Sequence, residues 1–157
     1  MNEHDKKLLA QLAQTPGEFI SRLKIVDEKG QERFFNTPFA EQVMALQDFH
    51  SDAETVIHYK PRQIGDTTVA TAYNFNYLYW TMDPARCLVV ADSYDSTDAI
   101  FGRVRHYYRS LPQMLKKPIE RSNKRELIFK DSMAGFRCMT AGGKSDARGW
   151  TYQRLHA

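Results

Sequence analysis

A short apolar run, Thr55-Val56-Ile57-His58-Tyr59, leads into Lys60-Pro61-Arg62-Gln63-Ile64-Gly65-Asp66-Thr67, and a strongly helical stretch begins at Thr68. No other feature of the chain narrows the choice of fold as far. A strand that turns through a basic, glycine-containing loop into a helix aims several backbone N–H groups, and the positive end of a helix dipole, at one small volume. An anion belongs there, above all a nucleotide phosphate. The pattern GxxxxGK[ST] is met in part, with Tyr59-Lys60 in place of the first glycine and Asp66 in place of the lysine.

The chain has 157 residues, enough to bury one proper core and too few for two sizeable domains. No run approaches the roughly 20 apolar residues of a membrane span, and the N-terminus carries no apolar signal region after its charges, so a soluble, cytoplasmic protein with no membrane partner is expected. Cys87 and Cys138 lack metal-ligand spacing and read as small core residues. The net charge of +3 is unevenly spread. Between Arg103 and Arg125 eight basic residues face the single acid Glu120, a local balance of +7 that leaves −4 elsewhere. Arg103, Arg105, Arg109, Lys116 and Lys117 in that stretch are candidates for contact with a polyanion such as DNA; the alternative is a solvated helix face with its following loop.

Leu8, Leu9 and Leu12 predict a short amphipathic helix over 5–13, and Asp27-Glu28-Lys29-Gly30 predicts a turn between hairpin arms at 20–26 and 31–35. Residues 1–35 thus form an appendage to a domain at 36–157. Thr37 and Pro38 look like the cap and first position of a helix whose inward stripe is Val43, Leu46 and Phe49 or His50. After it the chain alternates: strand 55–60, helix 68–81, strand 86–91, helix 95–109, strands 125–130 and 135–140, then a strand opening at Thr151. That succession predicts an α/β fold with a mostly parallel sheet flanked by helices. Ile100, Val104, Tyr107 and Leu111 recur at helical spacing and read as core. The five histidines share no metal-ligand spacing and are assigned no chemistry.

Taken in order, residues 34–157 resemble the N-terminal ATPase domain of the large terminase subunit, the motor that packages DNA into the capsids of tailed phages. Pro38-Phe39-Ala40-Glu41-Gln42 stands where that family has its adenine-contacting glutamine, with Gln47 the alternative on the same helix. Arg62-Gln63-Ile64-Gly65-Asp66-Thr67-Thr68 is similar to the family loop Arg-Gln-x-Gly-Lys-[Ser/Thr]-Thr, and Lys60 stands where some members carry the loop lysine. Leu88 to Ser93 and Ser110-Leu111-Pro112 look like the second strand and its closing Leu-Pro, and Ala147-Arg148-Gly149 matches the Arg-Gly pair that precedes the Walker B strand.

The resemblance implies a P-loop NTPase core of RecA-like type, incomplete at its C-terminus, that binds ATP with Mg²⁺. It assigns nucleotide contacts to Gln42, Lys60, Arg62, Gln63, Gly65, Asp66, Thr67 and Thr68, the Mg²⁺-contacting hydroxyl to Thr67, and a trans-acting arginine finger to Arg148. Asp66 beside a phosphate must point away or meet Mg²⁺ through water. The implied partners are double-stranded DNA, the small terminase subunit, the portal protein and further copies in a ring, in the cytoplasm of an infected host. The sequence ends where the family's acidic Asp-Glu pair would begin, so weak nucleotide binding and poor hydrolysis are expected of this chain by itself. Two rival readings are a shortened, non-enzymatic terminase acting as an interaction or interfering protein, and a helicase-like nucleic-acid ATPase fragment.

Overall fold

One helix without a charge beyond its first residue, Asp66–Trp80, runs through the middle of the molecule, and the other elements are laid around it. A computed structural model describes residues 3–27, 29–36, 38, 40–58, 65–142 and 150–157. In chain order the elements are α1 (Glu3–Gln14), α2 (Pro16–Ser21), β1 (Lys24–Val26), β2 (Glu32–Phe34), α3 (Ala40–Phe49), α4 (Asp66–Trp80), β3 (Arg86–Ala91), α5 (Tyr94–Ser110), β4 (Ile119–Ser122), β5 (Glu126–Phe129), β6 (Gly135–Thr140) and β7 (Arg154–His156). The strands form a two-stranded ribbon, β1-β2, and a five-stranded sheet in the order β4-β5-β6-β3-β7.

The class is α/β as expected, but the sheet is mixed rather than mostly parallel. β3 runs parallel to β6 and β7, whereas β5 is antiparallel to both β4 and β6. Connection length decides this. The links 123–125 and 130–134 are too short for the crossover that parallel strands require, so each closes a hairpin. In the second, Met133 takes a positive φ of 57° and the Ser132 hydroxyl accepts from Ala134 N–H, which satisfies a buried turn.

β3 coincides with the apolar run 86–91 because it is buried on both sides. In register, Cys87 faces Phe136, Val89 faces Cys138 and Ala91 faces Thr140. Cys87, Val89, Phe136 and Cys138 join Leu127 and Phe129 in the core under α4 and α5. Ile100, Val104, Tyr107 and Leu111 are buried as their spacing predicts. Ser93 caps α5 by accepting from Ser96 N–H at 3.2 Å.

Three local expectations are overturned. Residues 20 and 21, expected in the first hairpin arm, close the helix α2 instead, since Pro16 suits a first helical position and the turn buries Phe19 and Ile20. In α3, Leu46 and Phe49 pack against the core as expected, but Val43 is 40% exposed and Gln42 and Ala45 are the buried residues. Residues 55–58 are not in a strand. Val56 and His58 line one wall of a hollow of about 550 Å³ whose other wall is Gln153 to Ala157, and that space separates the segment from the outer edge of β7. Residues 59 and 60 of the expected strand, and Thr37, lie outside the described residues.

The N-terminal helices share the main core. Leu12, Phe19 and Ile20 are buried with it, and the Phe19 ring meets Tyr79 at 4.7 Å, Trp80 at 5.3 Å and Phe75 at 6.3 Å. Truncating Phe19 to alanine should therefore destabilise the protein by about 3–5 kcal/mol in urea unfolding. Burial also pushes the thiols of Cys87 and Cys138 up to about 12. Neither should react with a disulfide reagent at pH 8 in the folded protein, and both should react on unfolding.

Candidate functional site

The site begins at Gly65, which caps α4 in the left-handed region, φ 77° and ψ 14°. Its carbonyl accepts from Thr68 N–H at 2.9 Å and Val69 N–H at 3.1 Å. The N–H groups of Asp66 and Thr67 have no intrahelical acceptor, as at every helix start, and stand at the positive end of a 15-residue dipole. The first turn is tied down from two sides. Tyr107 of α5, itself buried, donates its hydroxyl to the Thr68 carbonyl at 3.3 Å, and Thr71 donates to the Thr67 carbonyl at 2.5 Å.

Gln42 reaches this turn from α3. Its side chain is buried, and its Nε2 lies so close over Gly65 that a Cβ there would collide with it. Two residues that the sequence placed 23 positions apart in one nucleotide site are thus brought together. Gln47, the alternative glutamine, is exposed on the same helix. Gly65, Asp66, Thr67 and Thr68 are all in place at the helix N-terminus. Lys60, Arg62 and Gln63, and the finger candidate Arg148, lie outside the described residues.

Asp66 does not face outward. It is 7% exposed, and its Oδ1 meets His58 Nδ1 at 3.0 Å. His58 in turn stacks on Phe49, ring centroids 5.0 Å apart and 18° from parallel, and sets Nε2 3.4 Å from Asp48 Oδ2. Sequence reasoning assigned His58 no chemistry and passed over Asp48. Their meeting depends on how α3, the segment before the loop and α4 converge, and neither spacing nor composition carries that.

The fit to the implied cofactor can be tested on these groups. The N–H groups of a helix start, a glycine with positive φ and a hydroxyl at the second helical position suit a phosphate group with Mg²⁺. Among the described residues there is no cluster of three or more His, Cys, Asp or Glu able to hold a metal ion, so Mg²⁺ would be held by the nucleotide's own phosphates and Thr67, as is common for that ion.

The basic stretch is largely engaged within the fold. Lys117 pairs with Asp131 at 3.0 Å and lies over the rings of Tyr79 and Phe129. Burial raises the Asp131 carboxyl, but the hydrogen bond and charge of Lys117 and the backbone N–H groups of Ser132 and Asp131 together outweigh it and hold the group below the ordinary carboxyl range. Arg105 covers Phe101, Arg121 meets Glu126 at 3.5 Å and Arg125 lies over Tyr94. Arg103 is half-buried beside a second hollow of about 410 Å³ that also touches Thr68, whereas Arg109 and Lys116 are exposed.

No protein-family model matches the sequence, and no curated protein matches it. Among the described residues no helix is long and apolar enough to cross a membrane.

The Gln42–Gly65 contact makes a sharp prediction. Gly65→Ala places a side chain at positive φ and against Gln42, and should lower stability by about 1–2 kcal/mol or more. In a Gln42→Ala background the steric part is gone, so the same change should cost measurably less. Equal costs in the two backgrounds, by urea denaturation, would show that the contact is not made.

Proposed function

We propose that this chain is an ATP-binding P-loop core, and that it is the nucleotide-binding part of a viral DNA-packaging motor of the large-terminase kind. The observation that carries the reading is the meeting of buried Gln42 with Gly65 at the N-terminus of α4. That places Gln42, to which the resemblance assigns the adenine contact, beside the loop glycine to which it assigns a phosphate contact. The helix geometry supplies the anion site and Thr67 the hydroxyl for Mg²⁺. Lys60 and Arg62, preceding Gly65 in the loop, supply positive charge for the β- and γ-phosphates, so Lys60 serves where Asp66 replaces the usual lysine. Bound ATP supplies the transferable phosphoryl group. Arg148 is proposed to act on nucleotide held by a neighbouring copy.

On this reading the working partners are double-stranded DNA, the small terminase subunit, the portal protein and further copies in a ring, within an infected host's cytoplasm. Of the basic residues proposed to meet DNA, Arg109 and Lys116 are the exposed ones.

Calorimetric titration with ATP tests the nucleotide site. Binding should require Mg²⁺ for full affinity, and Lys60→Ala and Thr67→Ala should each weaken it by about tenfold, the scale of one lost charge-assisted contact. A chain that binds no nucleotide, or binds it equally well without Lys60 and Thr67, would overturn the proposal.

A further inference from the structure

The second hollow, of about 410 Å³, opens between β1 and α5, and its volume is within the range of small-molecule sites. One face of α5 forms a wall. Ala99, Gly102, Arg103 and His106 recur there at i, i+3, i+4 and i+7, and the first two leave room by having almost no side chain. Ile25 and Val26 of β1 line the other side, and the buried ring of Tyr107 closes the deep end. Of the described residues to which a nucleotide contact is assigned, Thr68 alone touches this space.

Packing does not account for Gly102. A glycine inside a helix weakens it, and is needed where the chain takes a positive φ or where another group comes close. Gly102 meets neither condition. Its φ is not positive, and a Cβ on it would meet no atom within 4 Å beyond its chain neighbours and the helix backbone. What a larger residue at this position would fill is the hollow.

The wall also carries polar groups that the fold leaves without hydrogen bonds. Arg103 is half-buried and makes no hydrogen bond or ion pair among the described residues. His106 has a buried Nε2 that lies 3.5 Å from Glu32 Oε1 yet makes no hydrogen bond among the described residues, and Glu32 is itself paired with Lys24. Half-burying a guanidinium without a counter-charge is costly, and a ligand that supplies the charge removes that cost. The planar fork of an arginine matches a carboxylate through two parallel bonds, and one cation balances one negative charge.

We propose that the hollow between β1 and α5 binds a small organic monoanion, its apolar body against Ile25, Val26 and Tyr107 in the space over Gly102, and its carboxylate paired with Arg103. The site is separate from the proposed nucleotide site and does not depend on it.

The test is a titration of the full chain with naphthoate and with naphthylmethanol, its neutral counterpart, followed by amide NMR signals. Naphthoate should bind in the millimolar range or tighter and shift the signals of Val26, Ala99 and Gly102. It should bind about tenfold more tightly than the alcohol, the scale of one charge-assisted contact. Arg103→Met, which keeps the apolar stem, should bring naphthoate down to the level of the alcohol and leave the alcohol unchanged. Gly102→Leu should abolish binding of both by filling the space, with a thermal midpoint no lower than the parent's, since leucine suits a helix better than glycine. Gly102→Ala, the smaller change, should weaken both and be at least as stable as the parent, and it carries the test if the leucine variant does not fold. Naphthoate that leaves these signals unmoved, that binds no better than the alcohol, or that binds the Arg103 and Gly102 variants as it binds the parent would overturn the proposal. Displacement of naphthoate by Mg²⁺·ATP would overturn it too, by making the hollow part of the nucleotide site.

Discussion

Burial of α4 on all sides is the constraint from which the rest of the structure follows. Eleven of its fifteen residues are buried, and they face the sheet, α2, α3 and α5 in turn. A helix so placed cannot use a polar face to choose its orientation, and its sequence has none. Orientation is set instead by what its few polar groups can reach. Tyr79 donates to the Leu115 carbonyl, the Thr68 carbonyl accepts from Tyr107, and Asp66 bonds to His58. Burying these groups without partners would cost far more than their bonds return, so the network fixes both the rotation and the depth of the helix. The position of its N-terminus, and with it the candidate anion seat, is then a consequence of core packing.

The same accounting covers the first turn of α4. A carboxylate there is favourable for the helix, and Asp66 is buried with its bond to His58. The Gly65 turn leaves space where its Cβ would have been, and Gln42 fills that space from the side. Tyr107, whose burial raises its phenol well above the ordinary range, stays a neutral donor to the Thr68 carbonyl at any pH the protein meets.

Much of this was legible in the sequence wherever one physical signal dominated. Continuous apolarity marked β3, helical periodicity marked α5, and the glycine-containing loop marked the start of α4 to within two residues, Asp66 rather than Thr68. Gln42 and Gly65, which meet, were linked beforehand only through the resemblance, with Gln47 as the alternative, and not through spacing. What escaped were features decided by tertiary competition. Val56 and Ile57 are β-formers by composition, yet Val56 faces the hollow before β7, Ile57 is 88% exposed, and neither pairs with a strand among the described residues. The mixed sheet follows from two short connections: the one at 130–134 separates two expected strands, its effect on their direction not drawn, and the other leads from β4, a strand the sequence pattern did not mark. His58 could not be found at all, because its meaning lies in two carboxylates ten residues before it and eight after it.

The sheet's outer strand shows how far the central helix reaches. β7 has three residues and pairs with β3 alone, which by itself is little to hold a strand. Two further attachments secure it. Gln153 exchanges bonds with the Arg86 backbone, its side-chain oxygen accepting at 2.6 Å and its N–H donating at 3.0 Å. The Arg154 guanidinium lies 4.7 Å from the Tyr73 ring and 4.4 Å from the Tyr77 ring, both on α4. A planar cation stacked on two rings holds direction as well as distance, which an ammonium on a flexible stem would not. α4 therefore fixes the edge strand through its middle turns and the anion seat through its first, and a single rigid element sets the distance between them.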